Sequence, residues 1–444
     1  MSITRPEPAK TLRDATAALN FEAPLESGDP RWQDLSEARG DDATLRLRRL
    51  FERQPAGQPL HAVFSSHRGA GKTTELKRFA HDLRTQYLCV YLEANVELDA
   101  VEFAMEDLLL VLVRVVEQVM RERKTPLPAK RLTDVERWFT ETVITQTLGQ
   151  TYEAEIRAGA GTKGGLPFFA ELFAKLTSLF KVSSEHREQV KSTLRRYPGE
   201  LTRQVNSLFS GAAEVLSREQ RELLILIDNM DRYSPKLNDE LLVRDGDRFR
   251  QLGCSLIVTP PIGLILRPES QSIDAIFKSE LMPTVRLRTK NEPYASFSGP
   301  GHDALLAALG RRIDLDTLLP DDEARDRLVW ASGGAIRELL ELAHDAVLDV
   351  DRLPITLPQV ERVLERRRQK VRDRIDVNGW LEPLVAIGRT KRLTEDPKCL
   401  DVLFQRLAFH YDGEVWYDVH PLITEIPDFH ARFSPPRRNR KKRG

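Results

Sequence analysis

A chain of 444 residues is long enough for two to four domains with cores of their own, and 67 Lys plus Arg against 67 Asp plus Glu leave no net charge to select a partner. Its three cysteines, Cys89, Cys254 and Cys399, are scattered without CxxC spacing, which excludes a disulfide framework and suits a reducing compartment. The start of the chain carries no apolar core of signal-peptide length and no apolar run reaches membrane-spanning length, so the expectation is a cytoplasmic protein without stable membrane insertion.

Residues 1–45 read as an N-terminal lead-in, flexible to about residue 20, then loop, turn and helix covering a ligand site. Trp32 and Arg39 in it are placed to stack on a base, with packing at a domain edge the other role open to Trp32. A core is expected over 46–298. It begins with "LHAVFS", a short apolar run suited to a buried parallel strand. Next comes Ser66-His67-Arg68-Gly69-Ala70-Gly71-Lys72-Thr73, with Thr74 opening a helix that carries Leu76, Phe79 and Leu83 on one face. The run matches G-x-x-x-x-G-K-[ST], the phosphate loop, with Ser66 in the first glycine's place. Gly69 and Gly71 let backbone N–H groups turn inward onto phosphate oxygens at a helix N-terminus. Lys72 is expected to reach the β- and γ-phosphates of ATP, and the Thr73 hydroxyl to ligate Mg²⁺. How Ser66 alters the loop is open at this stage.

A second strand, "YLCVYLEA", carries Glu93 near its end, and residues 101–123 form a long, very apolar helix that should pack across a sheet. Residues 124–205 exceed a minimal nucleotide fold and read mostly as helices. Within them "GAGTKGG" lacks the GK[ST] order and a preceding strand, so it is no phosphate loop. Phe168, Phe169, Leu172, Phe173, Leu176 and Phe180 after it make one apolar helix face, suited to helix or subunit packing before a membrane surface.

In "ELLILIDNMDRYS" an apolar run from Leu223 to Ile227 ends in Asp228, the form of a Walker B strand whose carboxylate holds Mg²⁺ through water. Asn229 follows where many ATPases have Glu; an amide positions a water but cannot take its proton, so turnover should be slow. Two carboxylates, Asp231 and Glu93, are open as the water-positioning group. "CSLIVT" is a further strand with Thr259 at its tip, facing the γ-phosphate, and "SELMPTVRLR" is an edge strand because Pro283 removes a donor. The expected fold class is therefore α/β: a doubly wound parallel-sheet P-loop NTPase core with a helical insertion.

From about 299 to 356 the chain turns helical, as a lid. Its Gly333-Gly334 turn leads into "AIRELLELAHDAV", with Arg337 placed to reach back over phosphates or to lie on a solvated face. Residues 357–428 open with a strongly basic helix and continue as helix, strand, "YDGE" turn and strand, the sequence form of a winged-helix domain. His410 and His420 lack ligand spacing and read as hairpin residues. Residues 429–444 form a basic tail expected to be disordered, solvated or attached to DNA.

Together "GDPRWQDLSEARG", "FSSHRGAGKTTELKRF", "LILIDNMDR", "SGGAIRELLELAHDA" and "YDGEVWYDVHPLI" resemble bacterial P-loop ATPases of the AAA+/STAND type with an origin-recognition-like layout. The resemblance implies that Lys72 and Thr73 bind phosphate and Mg²⁺, that Asp228 is the Walker B acid, and that Thr259 and Arg337 serve as the two phosphate sensors. It also implies a nucleotide-gated switch that forms a homo-oligomer or regulates a partner effector protein, in some relatives in defence. The other reading is an ATPase gripping DNA through the winged helix and tail. Arg232, Arg244 and Arg267 are open as the arginine acting on a neighbouring copy.

Overall fold

The computed structural model describes residues 7–99, 101, 103–148, 168–180, 185–267, 270–292, 299–412 and 415–433. "GAGTKGG" at 159–165, Gly413 and Glu414 of the hairpin turn and the basic run beyond Phe433 lie outside them.

Helix α1 (Leu12–Ala18) starts at Thr11, whose hydroxyl caps the Asp14 amide. The five expected strands form: β1 (His61–Ser66), β2 (Tyr87–Glu93), β3 (Glu222–Asp228), β4 (Ser255–Val258) and β5 (Lys278–Met282). Helix α2 (Lys72–Asp82) follows β1 through the phosphate loop, and α3 (Met105–Glu122) follows β2. The insertion forms α4 (Ala129–Phe139), a π-helical continuation (Thr140–Leu148), α5 (Phe168–Phe180), α6 (Glu185–Arg196) and α7 (Pro198–Ser217). After the sheet come α8 (Pro300–Gly310), α9 (Asp322–Ala331), α10 (Ile336–Leu348), α11 (Leu357–Asn378), α12 (Leu381–Thr390) and α13 (Lys398–Phe404). A hairpin of β6 (Ala408–Tyr411) and β7 (Trp416–Val419) precedes α14 (Pro427–Phe433).

The sheet runs β2-β3-β4-β1-β5. β1 with β4, β3 with β4 and β2 with β3 are parallel, so the carboxyl ends of β1, β2 and β3 share one edge. β5 is an edge strand and stops at Met282, because Pro283 has no N–H to continue the ladder. Register pairs Glu93 with Asp228 and Tyr91 with Leu226.

The chain divides into two compact units. The sheet unit comprises Leu45–Ser65 and Phe79–Glu280. Its core is made by Leu88, Val90 and Leu92 of β2, the apolar run of β3, and α3, buried without interruption from Met105 to Val113. α3 starts later than residue 101 because the Asp107 carboxylate caps the Ala104 amide at 2.7 Å. That buried carboxylate is also met by Lys191 at 3.1 Å and Arg187 at 3.7 Å of α6, which ties the insertion to the core. The aromatic face of α5 packs helix on helix: Phe173 lies 4.8 Å from Phe139 and 4.6 Å from Phe169 between ring centroids. Phe180's side chain lies outside the described residues. Among the described residues no helix is long and apolar enough to cross a membrane.

The second unit joins Met1–Thr44, Ser66–Arg78 and Leu281–Gly444. Its core gathers Leu305 and Leu309, Leu328 and Val329, Leu339 and Leu342, and Val360 and Leu364 from α8 to α11. The stretch expected as a flexible lead-in packs into this core over residues 9–19. Ala9 bridges Ile313, and Ala15 and Leu19 are wholly buried in this helical core. Their apolar faces supply the packing that a solvated leader lacks.

Candidate functional site

Within the helical unit the phosphate loop is a curled backbone. Gly69 and Gly71 have φ of +87° and +99°, in the region that favours glycine. At Gly69 even space forbids a side chain, since a Cβ would lie 2.8 Å from Arg337 Cβ. Ser66 does not share this conformation, so the missing first glycine strains nothing; its hydroxyl donates to the His67 carbonyl at 3.1 Å. The Ala70 amide closes a turn onto the His67 carbonyl at 3.2 Å. Lys72, buried, then opens α2.

Three distant segments hold this loop. From the N-terminal stretch, Arg39 is buried and donates to the Ala70 carbonyl at 2.8 Å, with Glu75 as its ion partner at 3.7 Å. Trp32 donates from Nε1 to Glu75 at 3.4 Å while the Arg78 guanidinium lies 3.3 Å from its ring centroid. These contacts pack Trp32 and Arg39 against the loop and the start of α2. Thr74 accepts the Leu25 amide at 3.2 Å, so its hydroxyl anchors the same stretch. From the start of α10, the Arg337 amide donates to the Gly69 carbonyl at 3.0 Å.

The third contact comes from the hairpin. His67 is fully buried, and its Nε2 accepts the His410 amide at 2.8 Å, a bond between residues 343 apart. Its ring meets Phe409 edge-on at 5.3 Å. Burial, with His410 and Lys72 nearby, holds the His67 imidazole down to about 3, so at neutral pH it is an acceptor. His410 and His420 are likewise pushed down by burial, to about 4 and about 3. The hairpin strands are embedded: Phe409, Tyr411 and Trp416 are buried, and Tyr411 donates to the Gly333 carbonyl at 2.8 Å.

Within the sheet unit, Asp228 ends β3 wholly buried. Its Oδ1 accepts the Thr259 hydroxyl at 2.9 Å and the Asn229 amide at 2.7 Å, while the Tyr91 hydroxyl is bonded to Oδ2. Thr259 is set by its own amide, which pairs with the Ile227 carbonyl at 3.1 Å. Asn229 adopts φ of +64°, which Asn tolerates better than most residues. Its amide nitrogen donates to Glu93 Oε2 at 3.3 Å. Asp231 is buried in the 3₁₀ turn Met230–Arg232.

The structure thus brings Asp228, Asn229, Thr259 and Glu93 together in one unit. It gathers Ser66, His67, Arg68, Gly69, Ala70, Gly71, Lys72, Thr73, Thr74 and Arg337 in the other. Arg244 and Arg267 both pair with Asp239, whereas Arg232 is exposed. Sequence reasoning missed Tyr91; its only signal is the shared period-2 face with Glu93, and that needs the register to become a contact.

No family model matches the sequence, and no curated protein matches it. Solved structures are similar to it, among them the following two. One is a Walker-type ATPase, PABY2304, of Pyrococcus abyssi, at 13% identity and a TM-score of 0.41, over 91% of this chain and 98% of that one. The other is the Aeropyrum pernix ORC1 protein in complex with DNA, at 13% identity and 0.40, over 94% and 98%. Likeness at that level leaves fold and chemistry resting on the geometry above.

Proposed function

We propose that this chain binds ATP with Mg²⁺ and hydrolyses it slowly, as a nucleotide-gated switch. The observation that carries the reading is the loop between β1 and α2. Two glycines at positive φ stand one residue apart, followed by a buried lysine and a threonine at a helix N-terminus, which is the backbone form of an anion cradle. The backbone fits such a group: Gly69 and Gly71 hold the positive φ that turns amide N–H groups inward, and Arg39 already satisfies the Ala70 carbonyl.

In this reading Lys72 offsets charge on the β- and γ-phosphates, and Thr73 and Asp228 hold Mg²⁺. The metal would neutralise charge developing on the transferred phosphoryl group. Thr259 keeps the Asp228 carboxylate oriented. Glu93 is the better of the two acids for positioning water, since Asn229 holds it beside the end of β3. An amide after Asp228 also avoids a third carboxylate at that strand end, at the cost of a proton acceptor, which suits slow turnover.

The switch reading draws on the second unit. The loop is bonded to α10, which belongs to the region read as a lid, and to the hairpin of the region read as a winged helix. A ligand that changes the loop therefore changes what those elements pack against. Arg337 would sense the γ-phosphate, and closure would expose a surface for a second copy or an effector protein; a role in defence extends the family resemblance. DNA binding is less supported by α11 than its composition suggests. Arg362 and Arg366 pair with Asp349, Arg367 with Glu338 and Glu341, Arg368 with Glu425, and Arg372 with Asp428.

The test is ATP binding and turnover by the full chain, with and without duplex DNA. The Lys72→Ala variant should lose affinity at least about 100-fold, and wild-type turnover should stay below about 1 s⁻¹. Unchanged affinity in Lys72→Ala would sink the nucleotide reading. DNA-stimulated turnover that falls steeply with salt and with removal of residues 432–444 would replace the switch by a DNA-engaged ATPase.

A further inference from the structure

Tyr91 is bonded to Asp228, and the nucleotide reading has no use for it. It stands on β2 two residues before Glu93, and Glu93 is the register partner of Asp228. A diagonal neighbour on the adjacent strand lies within reach of a long aromatic side chain. The Tyr91 hydroxyl closes the gap and is bonded to Asp228 Oδ2. Thr259 and the Asn229 amide already take Oδ1. Both oxygens of a wholly buried carboxylate therefore accept from the protein itself.

A carboxylate that holds Mg²⁺ through water must offer a lone pair to that water. Here Thr259 and Asn229 fix the plane of the group from one side, which preorganises it. Tyr91 does something different, because its O–H takes one of the two lone-pair sites of the second oxygen, leaving a single site there and weakening it as an acceptor. We propose that Tyr91 is a positioning residue that latches Asp228 against the metal's water shell. The phenol draws on the oxygen that the metal's water would have to use, and the chain would need more Mg²⁺ than it would without the Tyr91 hydroxyl.

The inference rests on the reading of Asp228 as the metal-holding acid. It is tested by binding of a non-hydrolysable ATP analogue to the full chain, titrated calorimetrically over a range of Mg²⁺ concentrations and again in EDTA. Tyr91→Phe should lower the Mg²⁺ concentration at half-effect about tenfold and leave the EDTA affinity within about twofold. A merely structural role would move both affinities together or neither. Should Tyr91→Phe fail to fold by circular dichroism, Tyr91→Met, which also lacks the hydroxyl and keeps bulk, takes the same titration. A midpoint that stays put or rises overturns the latch. Asp228→Asn separates the two ideas: if it abolishes the Mg²⁺ effect while Tyr91→Phe does nothing, the latch alone is wrong. If Asp228→Asn leaves the Mg²⁺ effect intact, the metal reading of Asp228 falls and takes the latch with it.

Discussion

Asp228 and the phosphate loop are both fixed by hydrogen bonds to neighbours, but the neighbours are of different kinds. In the sheet unit Asp228 is held by Tyr91 and Thr259, which parallel strand pairing delivers to the same edge. Any chain that forms this sheet in this register places them so. In the helical unit the loop is held by Arg39, Arg337 and His410, from three separate stretches of a discontinuous body. No ladder dictates those contacts. They exist only when the N-terminal stretch, the helices and the hairpin have all packed. The acid is thus a product of secondary structure and the loop a product of tertiary assembly, so the loop should be the more sensitive of the two to whatever loosens packing.

Acid offers the largest separation. His67, His410 and His420 are buried and neutral in the helical unit, with folded values of about 3, about 4 and about 3. Below about pH 6.5 the unfolded chain protonates these rings while the folded unit does not. The unfolded state then binds more protons, so stability falls as pH drops from that point toward the folded values. Three such groups at about 1.4 kcal/mol per proton give up to about 4 kcal/mol per pH unit. The sheet unit is balanced otherwise: burial pushes the Asp107 and Glu117 carboxyls up, which favours folding as pH falls, and pushes His61 down, which opposes it. Of five tryptophans, Trp32, Trp330, Trp380 and Trp416 lie in the helical unit and Trp138 in the other. Tryptophan fluorescence should therefore lose its folded signal between pH 6 and 4 at a higher pH than far-UV circular dichroism. Coincident midpoints would break the comparison.

A smaller effect isolates one contact. His67→Leu keeps an apolar body of similar reach but removes the acceptor for the buried His410 amide, leaving an N–H without its partner. The expected cost is about 2 kcal/mol in the helical unit. Hydrogen exchange should show faster opening of β6 and of the α10 start, with β3 protected as before. Uniform loss of protection would mean that the two units do not open separately.

These contrasts follow what was legible in the sequence. Short apolar runs bounded by turns read as strands, continuously buried in β1 and β3 and alternating in β2, so "LHAVFS", "YLCVYLEA" and "LLILID" declared all three, and Pro283 declared β5 an edge. The phosphate loop was legible for the same local reason: its chemistry is written in eight consecutive residues. Tyr91 was not, because a contact with a residue 137 positions away depends on register, which alternation alone does not set. Nor was the ordering of residues 9–19, since "LRDATAA" is too short and too weakly apolar to announce a helix without its partners. The strand, "YDGE" turn and strand order pointed to the hairpin but not to its embedding, because exposure and burial of Phe409 and Trp416 leave the same strand pattern.

The smallest effect concerns Ser66, and it sharpens the account of the loop. Were the first glycine needed for backbone shape, Ser66→Gly would tighten ATP. Yet φ at Ser66 lies outside the left-handed region, and its hydroxyl already has the His67 carbonyl as acceptor in a buried setting. Glycine there would relieve no strain, remove a hydrogen bond and enlarge the conformational freedom of the unfolded chain. The expected outcome is ATP affinity within about twofold of wild type and a stability loss of about 0.4–1 kcal/mol, read from chemical denaturation. Tenfold tighter binding would show instead that the serine restrains the loop. The contacts from Arg39, Arg337 and His410 would then be holding it in a form that the nucleotide has to undo.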